Sequence, residues 1–433
     1  MAKIGFIGAG STVFAKNVLG DCLHVEALRD AHIVLVDLDP ERLRDSEVMV
    51  KNLNRTLGAS AKVESFLAAD AEKALAGADY VVNAVQVGGY DPCTIIDFEV
   101  PKKYGLRQTI ADTLGIGGIF RGLRTIPVML DYCRILEKAA PDALLINYSN
   151  PMAMLTGAIL KGTGVRAVGL CHSVQSCAPC LCAELDLPQD RLRWKVAGIN
   201  HQGWLLEISR DGEDLYPEIK RRAQLPEYVD KDTVRFEVMR RFGYYVTESS
   251  EHSAEYMPWF IKARAPELIG RFHIPLDEYP RRCLEQIKNW AGMRGELVSD
   301  RPLNHARTHE YASYILEAAE TGVPFTFGGN VLNTGLIHNL PDRCCVEVMC
   351  VADRNGVTPT VAGNLPPQCA ALNRTNINVQ ELVIEAALTL KREHVYQAAL
   401  LDPHTGAELT IDETVALCDD LFAAHAAWLP EYR

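Results

Sequence analysis

The segment Lys3-Ile-Gly-Phe-Ile-Gly-Ala-Gly-Ser-Thr-Val13 decides the fold. An apolar run that is predicted to form a strand enters two glycines, Gly8 and Gly10, and a helical pattern follows at once. Glycines at such a turn allow a tight bend and let backbone N–H groups approach a pyrophosphate at the helix N-terminus. Val13 stands where the usual fingerprint has a third glycine, so the match is partial. The segment predicts a βαβ unit that binds a dinucleotide, and the alternative is a sharp strand–helix turn without a ligand.

A carboxylate closes the next predicted strand. Asp37 follows Gly10 by 27 residues, somewhat more than the roughly 20 residues of the usual fingerprint. An ionised carboxylate at this point accepts hydrogen bonds from the adenosine ribose hydroxyls and repels a 2′-phosphate. Asp37 therefore favours NAD over NADP as the cofactor.

The first half of the chain alternates short apolar runs with helical patterns, which is typical of βαβ units and a parallel sheet. Strands are predicted at Ala2–Ile7, His32–Asp37, Lys62–Phe66, Tyr80–Val85, Ala143–Asn147 and Ala167–Leu170. Helices are predicted at Pro40–Leu57, Ile119–Ala139 and Val379–Leu390. From about Leu192 the pattern changes to mixed strands and helices. We predict an α/β protein with a Rossmann-like, doubly wound parallel sheet in residues 1–190 and a mixed α+β lobe for metal and substrate in residues 191–433.

Composition and charge narrow the classes of partner. The 433 residues include 44 Lys and Arg against 56 Asp and Glu, a net charge of −12. Because no basic run offers a track for phosphates, we expect no nucleic-acid partner. No apolar stretch is long enough to span a bilayer, and the sequence passes from Met-Ala-Lys directly into the first predicted strand. These features predict a cytoplasmic protein without a membrane partner.

Thirteen cysteines make an odd total in a long chain, so we expect reduced thiols rather than a disulfide framework. Cys177, Cys180 and Cys182 lie close together in a predicted helix. No second cysteine pair or spaced histidine pair accompanies them, so the sequence assigns this cluster no function.

Two short motifs offer ligands for a metal ion. Cys171-His-Ser-Val174 follows the predicted strand that ends at Leu170, and Gly198-Ile-Asn-His201 follows another apolar run. A thiolate and an imidazole suit a divalent transition-metal ion and leave coordination positions open for substrate oxygens. Each motif alone is weak evidence, because a cysteine at a strand end usually belongs to the core and a lone histidine is usually a hydrogen-bonded polar residue.

Further polar groups are expected at the same edge of the sheet. Asn150 follows a predicted strand and can bind sugar hydroxyls, while Asp112 precedes a glycine-rich turn at Gly115–Gly118 that can approach a ligand. The segment Glu251-His-Ser-Ala-Glu-Tyr256 adds two carboxylates, an imidazole and a phenol, although charged runs are often only a solvated face.

Taken together, these motifs resemble family 4 of the glycoside hydrolases, and within it the bacterial melibiose-type α-galactosidases. The resemblance rests on Phe6–Ser11, Gln108–Thr113, Arg121–Pro127, Asn147–Pro151, Gly169–Val174, Gly198–His201, Glu248–His252, Glu255–Trp259, Asn339–Pro341 and Thr375–Asn378. Ile116 departs from the proline that is expected in similar sequences, and the cysteine cluster at 177–182 is not a family feature.

The resemblance implies a redox–elimination route that differs from the usual two-carboxylate hydrolysis. NAD⁺ would accept hydride from C3 of the sugar, and a base would then remove the acidified C2 proton. Mn²⁺ or another divalent transition metal would stabilise charge on the C2 and C3 oxygens. The aglycone would leave, water would add and the hydride would return. The implied substrates are unphosphorylated α-galactosides of the melibiose and raffinose type, and the alternatives are α-glucosides, α-glucuronides and α-galacturonides.

The resemblance also implies residue roles. Those for the cofactor, metal and substrate fall on Gly8, Gly10, Ser11 and Asp37 (NAD), Cys171 and His201 (metal), and Asn150 and His172 (substrate). Asp112 would protonate the leaving oxygen. Tyr256 is the candidate C2 base, and its ordinary pKa near 10 would have to be lowered by a nearby positive charge. His252 and Glu255 stay rival candidates for this base, and we expect a homodimer or homotetramer.

Two readings compete with a glycosidase. A lactate- or malate-type dehydrogenase shares the N-terminal pattern, but the chain shows no His–Gly–Asp loop and no arginine pair for a carboxylate substrate. A non-catalytic NAD sensor would not need Cys171, His201 and Asp112 together.

Overall fold

The computed structural model describes all residues from 1 to 433. The strands are β1 Lys3–Ile7, β2 His32–Asp37, β3 Lys62–Leu67, β4 Tyr80–Asn83, β5 Leu144–Asn147, β6 Arg166–Gly169, β7 Leu192–Ile199, β8 Gln202–Arg210, β9 Glu213–Asp214, β10 Tyr245–Val246, β11 Phe325–Leu332, β12 Cys345–Asp353 and β13 Gly356–Pro359.

Seventeen α-helices connect and cover these strands. They are α1 Val13–His24, α2 Pro40–Thr56, α3 Ala71–Leu75, α4 Ile95–Lys102, α5 Gly115–Ala139, α6 Met152–Gly162, α7 His172–Glu184, α8 Tyr216–Arg222, α9 Thr233–Phe242, α10 Ser250–Glu255, α11 Glu267–Arg271, α12 Glu278–Leu297, α13 Ala312–Thr321, α14 Pro367–Thr389, α15 Arg392–Leu401, α16 Thr405–Glu408 and α17 Ile411–Ala424.

The first six strands form the predicted parallel sheet, in the order β3-β2-β1-β4-β5-β6. Every neighbouring pair within this set is parallel. Residues Ile33 to Val36 of β2 are buried, as expected for a strand that is covered on both faces. The strand order reverses between β1 and β4, and ligands of doubly wound sheets bind at the carboxyl ends beside such a switch point.

The C-terminal half extends the same sheet with antiparallel strands. Asn330 of β11 pairs with Gly169 of β6, and β12, β7, β8 and β10 continue outward from there. Helix α14 packs against α5 and α6 of the first half, so both halves contribute to one large hydrophobic core. The predicted α/β class with a mixed C-terminal lobe is confirmed, whereas the division into residues 1–190 and 191–433 stays a prediction.

The segment after Asp112 differs from the prediction. The structure begins α5 at Gly115, four residues before the predicted start at Ile119, so Gly115–Gly118 form its first turn rather than a free loop. A Cβ atom at Gly117 would lie 2.8 Å from the backbone oxygen of Ala111. The glycines therefore let the helix pack tightly against the preceding loop. In the sequence alone, glycines that serve such packing look the same as glycines in an exposed bend.

None of the helices combines the length with the apolar character that a bilayer crossing requires.

Candidate active site

The glycine turn has the geometry of a dinucleotide site. Gly8 adopts a φ of +79°, and a Cβ there would lie 2.7 Å from the carbonyl carbon of Ala84. No side chain caps the first turn of α1, so its N–H groups are available to an anion. The Ser11 hydroxyl is buried and has no hydrogen-bond partner in the chain. These features fit a bound pyrophosphate.

Asp37 lies against this turn at the end of β2. Its Oδ2 accepts a hydrogen bond of 2.6 Å from Gly10 N–H, and Oδ1 accepts one of 2.9 Å from Asp39 N–H. Arg42 Nε in turn donates to the Gly10 carbonyl oxygen at 2.8 Å. The carboxylate therefore fixes the loop shape while it remains partly exposed.

Three potential metal ligands converge at the other side of the switch point. The ligand atoms of Cys171, His201 and Glu248 lie within 4.8 Å of one another. His201 Nε2 lies 3.3 Å from Glu248 Oε2, and His201 Nδ1 lies 3.2 Å from the Thr113 hydroxyl. This second contact orients the ring so that Nε2 faces the cluster. A sulfur, a nitrogen and an oxygen donor suit a divalent transition-metal ion.

The electrostatics of the trio favour a bound cation. Burial, reinforced by the carboxylates of Glu248 and Glu347, raises the pKa of the Cys171 thiol well above its ordinary value. Burial also opposes ionisation of Glu248, but the neighbouring His201 and His252 outweigh it and lower the pKa of that carboxyl. A metal ion would compensate the charges that this site gathers in a buried place.

Two of these three residues, and a residue of the nearby Asp112 loop, have a strained backbone. His201, Glu248 and Ala111 adopt φ values of +61°, +67° and +49°, in the left-handed region that residues with a side chain rarely occupy. Each such residue costs roughly 1–2 kcal/mol. Strain of this kind persists where the surroundings enforce it, and it clusters at functional sites.

Asp112 lies beside the metal ligands and makes two polar contacts. Its Oδ2 accepts a hydrogen bond of 3.0 Å from Asn150 Nδ2, and its Oδ1 lies 3.5 Å from His252 Nε2. Burial alone raises the pKa of the Asp112 carboxyl, but His252 and Arg121 outweigh it and hold that pKa well below its ordinary value. Asp112 is therefore an ionised member of a carboxylate–imidazole pair.

Tyr256 lies next to this pair, and its ring centre is 6.2 Å from that of His201. Burial, with smaller contributions from Asp112 and Cys171, raises the pKa of the Tyr256 phenol well above its ordinary value, and a hydrogen bond to Thr113 only partly opposes this. The chain by itself thus keeps the phenol protonated. Ionisation of Tyr256 would need a nearby positive charge such as a metal ion.

The two rivals of Tyr256 are occupied differently. His252 Nε2 faces Asp112, and its Nδ1 lies 3.0 Å from the Ser249 hydroxyl. Glu255 is buried and accepts hydrogen bonds from three backbone N–H groups of the Asp112 loop. The side chains of both residues therefore contact other residues of this chain.

His172 lies at the rim rather than among the metal ligands. Its side chain is 56% exposed and its Nε2 lies 2.8 Å from Glu310 Oε2, which raises the pKa of the imidazole. This position agrees with a contact to a substrate hydroxyl.

The cysteines at 177 and 182 are buried in α7 and the one at 180 is exposed.

Sequence reasoning missed Glu248 as a ligand. Like Cys171 and His201, it lies two residues after the end of a buried strand, but that strand, β10, has only two residues and is too short to stand out in the sequence. Its position four residues before His252 was the available signal, since that spacing places the two side chains near each other.

Two family models match most of the chain. Residues 3–187 match the family described as Family 4 glycosyl hydrolase, and residues 196–405 match the Family 4 glycosyl hydrolase C-terminal domain. The chain belongs to family 4 of the glycosyl hydrolases. The family resemblance in the sequence is thereby confirmed, and the dehydrogenase reading is wrong.

Two curated family 4 relatives cover nearly the whole chain. An α-galactosidase of Bacillus subtilis (strain 168) is 60% identical over 100% of both chains. An α-galactosidase of Rhizobium meliloti (strain 1021) is 37% identical over 99% of this chain and 89% of its own length.

A solved structure shares the family 4 fold. A 6-phospho-α-glucosidase from gut microorganisms, in complex with NAD and Mn²⁺, superposes with a TM-score of 0.81 over 100% of both chains at 21% identity.

Proposed function

We propose that this protein is an NAD- and divalent-metal-dependent α-galactosidase that acts on unphosphorylated α-galactosides such as melibiose. The observation that carries this proposal is the trio Cys171, His201 and Glu248 beside the pair Asp112 and His252. The dinucleotide turn lies at the end of β1 in the same sheet. The 60% identity with an α-galactosidase over the full chain supports the choice of substrate.

The groups that the chain would hold are an NAD molecule and a divalent ion, with Mn²⁺ as our choice. Gly8, Gly10 and Ser11 would bind the pyrophosphate and Asp37 the ribose. Cys171, His201 and Glu248 would hold the ion. When bound, NAD⁺ would supply a hydride acceptor for C3 of the sugar, and the metal ion would supply a Lewis acid for charge on the C2 and C3 oxygens.

Tyr256 is the group that we assign to the C2 proton. It is buried beside the metal ligands, whereas the Glu255 carboxylate is occupied by backbone N–H groups. The nearby divalent charge would lower the pKa of the phenol, in the direction opposite to the effect of burial.

Asp112 and His252 act together in protonation of the leaving oxygen. The His252 imidazole, whose Nε2 lies 3.5 Å from Asp112 Oδ1, is the group that we assign as the proton donor, and the Asp112 carboxylate orients its ring. This assignment refines the role of Asp112 as the lone acid.

Asn150 and His172 would bind sugar hydroxyls. The surroundings favour a neutral sugar, since Asp112, Glu248 and Glu310 supply negative charge around the site. Arg121, beside Asp112, donates to the Tyr279 hydroxyl at 2.9 Å and to the Asn150 carbonyl oxygen at 3.2 Å. α-Glucosides and α-glucuronides or galacturonides remain the alternative substrates.

The remaining expectations concern assembly and location. We propose a homodimer or homotetramer, because α12 has no buried residue and exposes Leu284, Ile287 and Met293. Light scattering with size-exclusion chromatography tests this.

All thirteen cysteines are unpaired, which supports a reducing compartment such as the cytoplasm.

A substrate panel tests the proposed activity. Purified protein with NAD⁺ and Mn²⁺ is expected to release p-nitrophenol from its α-galactoside, more slowly from the α-glucoside, and least from the α-glucuronide. Chelation should abolish the activity, and added Mn²⁺ should restore it. Full activity after exhaustive chelation, or preference for the uronide, would contradict the proposal.

A further inference from the structure

Glu255 has contacts that none of the steps above uses. It ends α10 and is only 4% exposed. Its Oε1 accepts a hydrogen bond of 2.6 Å from Thr109 N–H, and its Oε2 accepts one of 3.1 Å from Ala111 N–H. Ile110 N–H lies between them, 3.2 and 3.3 Å from the two oxygens. Three successive backbone donors therefore point at one carboxylate.

Such convergence needs an unusual backbone. Ala111 adopts a φ of +49°, which the backbone does not favour by itself. Three N–H groups that converge on one buried side chain satisfy backbone donors of the loop, and these hydrogen bonds compensate this strain. A second contact, from the Thr109 hydroxyl to the Glu251 carbonyl oxygen at 2.9 Å, joins the same loop to α10.

The loop that Glu255 holds leads directly into the catalytic pair. Asp112 follows Ala111, and Tyr256 follows Glu255. A single side chain thus fixes the distance between the loop that carries Asp112 and the helix that carries His252 and leads into Tyr256. Release of the loop would move Asp112 away from His252, whose present separation of 3.5 Å is already long.

We propose that Glu255 is a positioning residue, which acts by holding the loop 109–111 so that Asp112 pairs with His252. The inference rests on the proposed role of that pair in protonating the leaving oxygen. It assigns Glu255 no contact with the substrate and no proton transfer.

Glu255→Gln is the informative change. A carboxamide keeps the size of the side chain but directs an NH₂ group at a backbone N–H, so at least one of the hydrogen bonds is lost. Glu251→Gln is the matched control, because it lies one turn earlier on α10 and its side chain faces Arg282 at the surface.

The experiment compares two substrates with the holoenzyme. Methyl α-galactoside needs a proton on its leaving oxygen, whereas p-nitrophenolate leaves with little help. Glu255→Gln is expected to lower kcat/KM for the methyl glycoside by about tenfold or more beyond its effect on the p-nitrophenyl glycoside, within the range of general acid catalysis. The melting temperature and the Kd values for NAD⁺ and Mn²⁺ should stay as in Glu251→Gln.

Asp112→Asn, measured in parallel, separates two kinds of failure. If Asp112→Asn shows the selective loss while Glu255→Gln lowers both substrates equally, the positioning role is wrong and the acid assignment stands. If Asp112→Asn shows no selective loss, the acid assignment fails and the positioning role fails with it. If Glu255→Gln does not fold, Glu255→Asp takes its place, because it keeps the carboxyl group on a shorter side chain. We expect Glu255→Asp to lower kcat/KM for the methyl glycoside about threefold or more beyond its effect on the p-nitrophenyl glycoside. An equal loss on both substrates would again overturn the positioning role.

Discussion

Cys171 is buried, yet its proposed role as a metal ligand requires the ionised thiolate. The carboxylates of Glu248 and Glu347 reinforce burial in raising the pKa of its thiol, so at neutral pH the metal-free protein carries a protonated thiol. Metals bind the thiolate. Metal affinity and proton release are therefore linked at this one residue.

Binding of Mn²⁺ should release about one proton from Cys171 at pH 7, and the affinity should rise about tenfold per pH unit while the thiol remains protonated. Titration calorimetry in buffers of different ionisation enthalpy measures the released protons. Cys171→Ser should bind more weakly and release fewer protons, whereas Glu248→Gln should bind more weakly with the same release. Equal heats in all buffers for the natural protein would contradict this account.

Glu347 is a second buried acid, on β12 and completely enclosed. Asn330 Nδ2 donates to it at 2.9 Å, yet burial raises the pKa of the Glu347 carboxyl to about 7. Because the folded chain keeps a proton that the unfolded chain loses near pH 4.5, this residue stabilises the fold fully below about pH 4.5. That contribution is lost as the pH rises to 7.

Glu347→Gln should therefore raise the melting temperature of the metal-free protein at pH 8 and leave it unchanged at pH 4.5. The gain is at most about 3 kcal/mol, from a shift of roughly 2.5 pH units. The Asn200 and Asn330 side-chain oxygens have no partner in the chain and can accept from the new amide. Calorimetric scans at both pH values in the presence of a chelator measure the difference, and an unstabilised variant at pH 8 would contradict it.

At the scale of elements, the sequence predicts the βαβ half well, because each strand there is a short apolar run bounded by polar residues. β2 lies at the predicted residues, and the other five strands differ from prediction by one or two residues at their ends. The start of α5 was predicted too late, because glycines at 115–118 indicate a turn unless their tight packing against the preceding loop is known.

Asp37, at the end of β2, holds the glycine turn between β1 and α1. Asp37→Ala tests whether these two segments bind NAD⁺ together. The change removes both the brace on Gly10 and the ribose acceptor, so NAD⁺ should bind about 10–100-fold more weakly, as expected for a charged hydrogen bond of roughly 1.5–3 kcal/mol. Fluorescence titration measures the Kd, and Mn²⁺ affinity should not change.

Asp39→Ala is the control for this change. Asp39 lies two residues on and caps α2 through the N–H groups of Glu41 and Arg42. Its loss should lower the melting temperature and leave NAD⁺ affinity as it is. An unaltered affinity in Asp37→Ala would show that Asp37 is not the ribose partner.

At the scale of the molecule, the site joins residues that are far apart in the chain. Cys171 could be predicted because it follows an apolar run in the parallel half, where the carboxyl ends of strands share one edge. His201 also follows an apolar run, but its strand β7 is antiparallel to β12 and β8, so its place beside Cys171 depends on how the second half extends the sheet. Glu248 follows a strand of only two residues, β10, and its spacing from His252 was the available signal. The contact of Glu255 with residues about 145 positions earlier could not be predicted. That contact depends on how α10 packs against the loop 109–111, and no local pattern records this packing.

The whole arrangement makes sense only if C–H bonds of the sugar are broken, since direct hydrolysis needs neither a dinucleotide turn nor a Cys171, His201 and Glu248 trio. A displacement mechanism leaves C2–H intact. Elimination removes that proton to a base, which we assign to Tyr256, and the product then regains a proton that has exchanged with solvent.

Hydrolysis of an α-galactoside in D₂O, with NAD⁺ and Mn²⁺ present, tests this claim most directly. Proton NMR of the released galactose is expected to show deuterium at C2, and free galactose incubated with the enzyme under the same conditions provides the control for exchange after release. Galactose that retains its full C2 proton signal would contradict the redox–elimination account.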